Sequence, residues 1–230
     1  MPQFIVISGI DGCGKTTVIE RLRRRLEQEG LTTRYEWMRY NHRLVRPIHA
    51  LSRLVGLSRR YEVESQSVWR HEFHRSRSFS SFYIFLTWLD AWLGRLLLAT
   101  RLSLKQVDIV VCDRWVQDIL VDLAVDTRRR SLLSGRWYGR FLGILPRRTR
   151  QYLIVREAQA IVSSRPDVRR DLSGSFRQRL YRRLARNPDL VVVSNDGTVD
   201  AAVEAILQDW KCRTECIPDP EGLRPVKSRV

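Results

Sequence analysis

Residues 4–16 read Phe4-Ile5-Val6-Ile7-Ser8-Gly9-Ile10-Asp11-Gly12-Cys13-Gly14-Lys15-Thr16, and the fold turns on them. The first four form an apolar run rich in β-branched residues, the pattern of a strand buried on both faces of a parallel sheet. Gly9 to Thr16 then matches G-x-x-x-x-G-K-[ST], in which glycines let backbone N–H groups turn inward around phosphate oxygens. From Lys15 to Glu29 the residues Val18, Leu22 and Leu26 share one helical face, four arginines lie elsewhere, and Gly30 stops the helix. Its N-terminus would add a positive dipole end to the anion grip. Strand, glycine loop and helix in this order form the context the motif requires. The sequence therefore predicts nucleotide binding through Gly9, Gly12, Cys13, Gly14, Lys15, Thr16 and Thr17, with Lys15 on the outer phosphates and the Thr16 hydroxyl on Mg²⁺.

Outward from this point, strand-like and helical segments alternate. Residues 32–38 read as a second strand, Val107 to Cys112 as a third, Tyr152 to Val155 as a fourth and Leu190 to Val193 as a fifth. Between them come a basic amphipathic segment over 41–56 and a polar stretch over 57–78, read as loop plus short helix. A long apolar helix over 79–98 and mostly helical residues over 115–144 follow, and a last helix spans Asp200 to Trp210. This alternation implies parallel strand pairing by right-handed crossovers, hence an α/β three-layer sandwich. The expected organisation is one domain over 1–211 with an insertion at 41–78 and a lid at 165–175, followed by a tail over 212–230. Residues 79–98 approach membrane-spanning length, but Asp90 and Arg95 interrupt them, which favours a core helix.

The charge of the chain is +16, from 41 Lys+Arg against 25 Asp+Glu, and lysine occurs only at positions 15, 105, 211 and 227. Guanidinium groups suit phosphate and carboxylate, so the surface fits a polyanionic ligand, nucleic acid or an acidic membrane, unless the bias is compositional. The segment 41–56 has the same two readings, a helix lying on an anionic membrane or an ordinary basic surface helix. Hydrophobic residues make up 43% of the chain, enough for a core without disulfides, which excludes wholesale disorder. Four cysteines without framework spacing, and an N-terminus that enters a strand at once, make the cytoplasm the expected compartment.

Two further features carry chemistry. Asp113 stands at the carboxyl end of the third strand, the edge where ligands collect in open parallel sheets, so it is a candidate for holding Mg²⁺ or for capping the next helix. Arg114 beside it is a candidate phosphate clamp. Between the fourth and fifth strands, arginines at 165, 169, 170, 177, 179, 182 and 183 could supply a mobile positive lid. Arg169 and Arg170 are the choice for it, while Arg177 to Arg183 fit a solvated helical face as well. His71-Glu72-Phe73-His74 lacks the spacing of a shared metal site, and Cys212 with Cys216 lacks a second ligand pair.

Taken together, GIDGCGKTT, VVCDRW, the arginine-rich lid and NDGTVDAAVEAI resemble the thymidylate kinase family of nucleoside-monophosphate kinases over about residues 3–210. The resemblance implies an α/β three-layer sandwich with a five-stranded parallel sheet of P-loop nucleotide-kinase type, ATP·Mg²⁺ as donor, a phosphorylated acceptor with dTMP as the leading choice, and a homodimer. It places Asp11 facing the acceptor sugar, Arg39 and Arg114 near the acceptor phosphate, and Trp88 stacked on the acceptor base. Several positions depart from the family pattern. Ser8 replaces a glutamate, Met38-Arg39-Tyr40-Asn41 replaces Arg-Glu-Pro-Gly, and Trp92 stands where an arginine is expected. The stretch WVQDILVDL replaces the serine-rich segment ending in Tyr-Gln that would read thymine. Donor-side features are kept and acceptor-side features altered, so a sugar, lipid or natural-product hydroxyl is the alternative acceptor, with Asp11 or Asp113 as its base. The rival from another class is a nucleotide-switched basic regulator that docks on nucleic acid or acidic membrane.

Overall fold

The computed structural model describes residues 2–39, 43–63, 66–103, 106–164 and 173–215. Five strands, β1 (Gln3–Ser8), β2 (Thr33–Trp37), β5 (Ile109–Asp113), β6 (Thr149–Val155) and β7 (Val191–Ser194), form one parallel sheet in the order β2-β5-β1-β6-β7. β1 is central because it has neighbours on both sides: Ile7 pairs in register with Asp113 of β5 and with Tyr152 of β6. A central parallel strand meets helices on both faces, which is why its apolar run is unbroken. Ile5, Val6 and Ile7 are fully buried, each contributing about 1.5–3 kcal/mol of apolar transfer.

Successive β1 side chains point to opposite cores. Ile5 and Ile7 pack with Val18, Leu22 and Leu26 of α1 (Lys15–Gln28) and with Ala202, Val203 and Ile206 of α8 (Val199–Glu215). Phe4 and Val6 pack on the other face with α3 (Arg77–Leu102), α4 (Val116–Thr127), α5 (Arg136–Leu142) and α7 (Gly174–Leu184). The short α6 (Ala158–Ser164) follows β6. α8 continues to Glu215, past Cys212 where the sequence places the start of the tail.

Residues 57–78 differ from their expectation. After α2 (Val45–Leu54) they form an antiparallel hairpin, β3 (Ser58–Val63) with β4 (Gln66–His71), as a separate two-stranded sheet. Neither strand alternates apolar with polar residues, and Glu64-Ser65 between them gives none of the usual hairpin turn signals, so sequence pattern alone misses it. Packing holds it instead. The His71 ring stacks on Phe73 at 5.0 Å and lies 4.5 Å from His49 of α2, while its Nδ1 meets Ser58 Oγ at 2.7 Å. His71, the first histidine of the His71–His74 stretch, thus serves packing.

α3 is a core helix on one flank, with Tyr83, Ile84, Ala91 and Leu98 buried. Asp90, which interrupts its apolar run, is buried and accepts from the backbone N–H groups of Arg43 and Leu44 at 3.1 and 3.0 Å. By length and composition α3 is apolar enough to cross a membrane, and 39% of its most apolar stretch is buried in the fold. Phe82, Phe85, Trp92 and Leu96 lie exposed on its outer flank.

Candidate active site

The glycine loop between β1 and α1 is built from backbone conformations that other residues resist. Gly9, Gly12 and Gly14 have φ of 149°, 86° and 90°. A Cβ on Gly9 would stand 2.5 Å from the Ile154 carbonyl oxygen, and one on Gly14 would stand 2.3 Å from Asn195 Nδ2. Spacing and sterics therefore require glycine at both ends of the loop. Lys15 is 6% exposed and turns back over it, donating to the Gly9 and Ile10 carbonyls at 2.8 and 2.7 Å. Thr16 and Thr17, both exposed, open the first turn of α1.

Asn195, just after β7, braces the loop from the far side of the fold. Its backbone N–H donates to Val155 and its side-chain amide to the Cys13 carbonyl, each at 2.8 Å. Sequence reasoning gave it no site role, although it opens the NDGTVDAAVEAI stretch. The Cys13 thiol is buried in the same place, and burial pushes its pKa up, so it packs rather than reacts.

Parallel pairing sets the end of β5 beside the loop. Asp113 is 7% exposed; its Oδ2 accepts from the Tyr35 hydroxyl at 3.1 Å, and its Oδ1 is buried without a partner. Burial raises its pKa, against the Tyr35 hydrogen bond and the nearby charges of Arg114 and Lys15. The capping role is not observed: Trp115 is the N-cap residue of α4, with no side-chain cap. A buried carboxylate oxygen without a partner, close to the glycine loop, fits Mg²⁺, which takes only one or two protein ligands when phosphates complete its shell. Asp113 with Thr16 would hold it there. Among the described residues no cluster of three His, Cys, Asp or Glu could form an all-protein metal cage.

Arg114 has φ 63°, a left-handed conformation unusual for a non-glycine residue, and its N–H donates to Ile7 at 2.9 Å. That turn sends its guanidinium to Asp11 of the loop and to Asp118 of α4, the latter at 3.0 Å. Asp118 is fully buried and also accepts from the Tyr181 hydroxyl at 2.7 Å. One turn further along α4, Asp122 receives Arg39 in a two-pronged contact of 3.0 and 3.1 Å and receives Arg177 of α7 as well. Arg39 also reaches Asp11 at 3.5 Å. Burial alone would raise the pKa of both Asp11 and Asp122, but Arg114, Lys15 and Arg39 at Asp11, and Arg177 and Arg39 at Asp122, outweigh it and hold both below the usual carboxylate range. At Asp126, a further turn on, the charges of Arg177 and Arg39 and a hydrogen bond with Tyr83 do not outweigh burial. Burial and the charge of Asp122 push it up to about 8.

The structure therefore brings together Asp11, Lys15, Arg39, Asp113 and Arg114 of the expected residues. Trp88 is engaged elsewhere: its indole N–H donates to the Arg140 carbonyl at 3.2 Å and its ring lies 6.1 Å from Phe85. Arg169 and Arg170 lie outside the described residues. Arg177 does not belong to a solvated face, because it is largely buried in its ion pair with Asp122. Asp118, Asp122 and Tyr181 escaped sequence reasoning, yet a signal existed. Asp118, Asp122 and Asp126 repeat every four residues in VQDILVDLAVD, which puts three carboxylates on one helical face.

No family model and no curated protein matches the chain. Among solved structures, the thymidylate kinase of Candida albicans is similar at a TM-score of 0.58 and 13% sequence identity, over 95% of this chain and 96% of that one. The likeness is one of fold. With its parallel sheet and glycine loop, the chain has the α/β architecture of a P-loop kinase.

Proposed function

We propose that this chain transfers the γ-phosphoryl group of ATP·Mg²⁺ to a small acceptor, and that the first acceptor to test is dTMP. The observation that carries this reading is the convergence of Lys15 and the glycine loop with Asp113 and Arg114 at one sheet edge. Phosphoryl transfer asks little covalent chemistry of a protein; it asks for positioning and for positive charge where negative charge spreads. The loop N–H groups and Lys15 would take the donor's outer phosphates, with Lys15 exchanging two loop carbonyls for phosphate oxygens. Mg²⁺, held by Thr16 and Asp113, would neutralise phosphate charge. Arg114 is fixed between Asp11 and Asp118, so it needs little reorganisation to face the migrating group. With a phosphate acceptor the attacking oxygen is already ionised, and no strong base is needed.

One observation favours a second reading, a hydroxyl acceptor. Arg39 and Arg114, to which the family resemblance gives the acceptor phosphate, are already paired with Asp122, Asp118 and Asp11. Asp113 would then be the base, since its partnerless oxygen stands at the sheet edge.

The test is ADP formation by the purified chain with ATP·Mg²⁺ and a panel of nucleoside monophosphates and hydroxyl acceptors. dTDP formed from dTMP is the expected result. Nucleotide binding without transfer to any monophosphate would reject the phosphate acceptor. Loss of turnover in Lys15→Ala ties the activity to this loop.

A further inference from the structure

Along α4 the arginine–carboxylate pairs end at Asp122 among the described residues. The end of α4, the first turns of α7 and strand β4 enclose a cavity of about 490 Å³ whose lining includes Arg70, Arg128, Arg130, Arg179, Ser175 and Phe176. Arg39, Arg114 and Arg177 each meet an aspartate, whereas none of these four arginines has a carboxylate partner among the described residues. Four like charges around one concavity repel one another, and an anion between them would turn that repulsion into attraction.

Two local details point the same way. Arg130 and Arg179 lie against one ring, Phe176, with Cζ 5.4 and 5.7 Å from its centroid. A guanidinium held by its face keeps its N–H edge for an oxyanion. Arg128 is the C-cap of α4 and has φ 55°, where an L side chain is strained and glycine is the common choice. Among the described residues no ion pair compensates for that strain.

We propose that this cavity binds the phosphate or sulfate oxyanions of a small polyanionic ligand, separately from the phosphate grip of the glycine loop and independently of the acceptor's identity. The volume lies within the range of small-molecule sites. A polynucleotide strand is the competing occupant, because a second concavity sharing Arg179 continues along α7 past Arg182, Arg183 and Arg186.

The test is calorimetric titration of the full chain with inorganic pyrophosphate at low salt. Lys15→Ala removes the contribution of the glycine loop, and one binding event is expected to persist in it. Adding Arg128→Gln and Arg179→Gln is expected to weaken that event at least tenfold. An unchanged isotherm, or no event at all in Lys15→Ala, overturns the proposal. Arg179→Gln alone, with an expected loss of at least threefold, serves should the combined variant fail to fold. A twelve-nucleotide DNA strand supplies the competing arm. A strand that binds, is not displaced by pyrophosphate, and weakens as much with Arg183→Gln and Arg186→Gln as with Arg128→Gln and Arg179→Gln makes these arginines a polynucleotide track and overturns the small-ligand assignment.

Discussion

The two edges of the candidate site, called donor and acceptor edges after the proposed function, are held in place by different physics. On the donor edge, Gly9 and Gly14 are fixed by backbone sterics, and one continuous segment, the braced loop and the first turn of α1, contains most of the participating residues. On the acceptor edge, Asp11, Arg39, Arg114, Asp118, Asp122 and Arg177 come from separate segments and are held by ion pairs. Sterics are indifferent to pH and salt, and a side chain either fits or does not. Ion pairs depend on protonation and lose most when one partner is removed. The donor edge should therefore fail all at once when its backbone is altered, and the acceptor edge should respond by degrees.

The largest effect falls on the donor edge. Gly9→Ala would place a methyl 2.5 Å from a backbone carbonyl at φ 149°, and neither atom belongs to a flexible side chain. We expect a loss of about 3–5 kcal/mol in urea unfolding and no calorimetric ATP binding. ATP affinity within threefold of wild type would break the comparison, since the loop would then tolerate what sterics forbid. Asp122→Ala comes next. It leaves Arg39 and Arg177 facing each other without the shared carboxylate, and because both are partly solvated the cost should be about 2–3 kcal/mol, below that of a fully buried pair. ATP affinity within threefold of wild type in this variant would sharpen the separation of the edges.

The same contrast explains what the sequence could tell. The five parallel strands, the glycine loop and the position of Asp113 were legible because each depends on local chemistry: apolar runs, φ preferences and the end of a strand. The site beyond them was not. Asp122 meets Arg39 and Arg177 across 83 and 55 residues of chain, and no periodicity encodes such pairs. Arg177 looked like any arginine of a basic helix until packing of α7 on α4 gave it a partner. The β3–β4 hairpin escaped for the same reason, because its strands carry polar residues and are held by His71, His49 and Phe73 rather than by their own pattern.

A smaller effect tests the charge dependence of the acceptor edge. Asp126 titrates at about 8 in the fold, raised by burial and by Asp122, against a value of 3.8 when free. The folded chain keeps a proton that the unfolded chain has released, so wild-type stability should fall as pH rises from about 4 to about 8 and level off above that. Asp126→Asn, which mimics the protonated acid, removes this decline. Its melting temperature should match wild type near pH 4 and exceed it by about 3–6 °C at pH 9. Equal melting temperatures at both pH values would show that Asp126 is not confined beside Asp122.

The smallest effect returns to the donor edge, where Asn195 braces the loop through one hydrogen bond to Cys13 at 2.8 Å. Asn195→Ala should cost about 1 kcal/mol and loosen ATP by three- to tenfold, because the loop keeps its backbone conformation but loses its support. Its value lies in combination with Gly14→Ala. A Cβ on Gly14 meets two penalties, contact with Asn195 Nδ2 at 2.3 Å and a φ of 90°. Removing Asn195 relieves the first and leaves the second. In a double-mutant cycle Gly14→Ala should thus cost about 1 kcal/mol less in the Asn195→Ala background, and the remaining cost measures backbone strain alone. If the residual vanishes, side-chain crowding rather than φ dictates glycine at position 14, and the donor edge is held by packing after all.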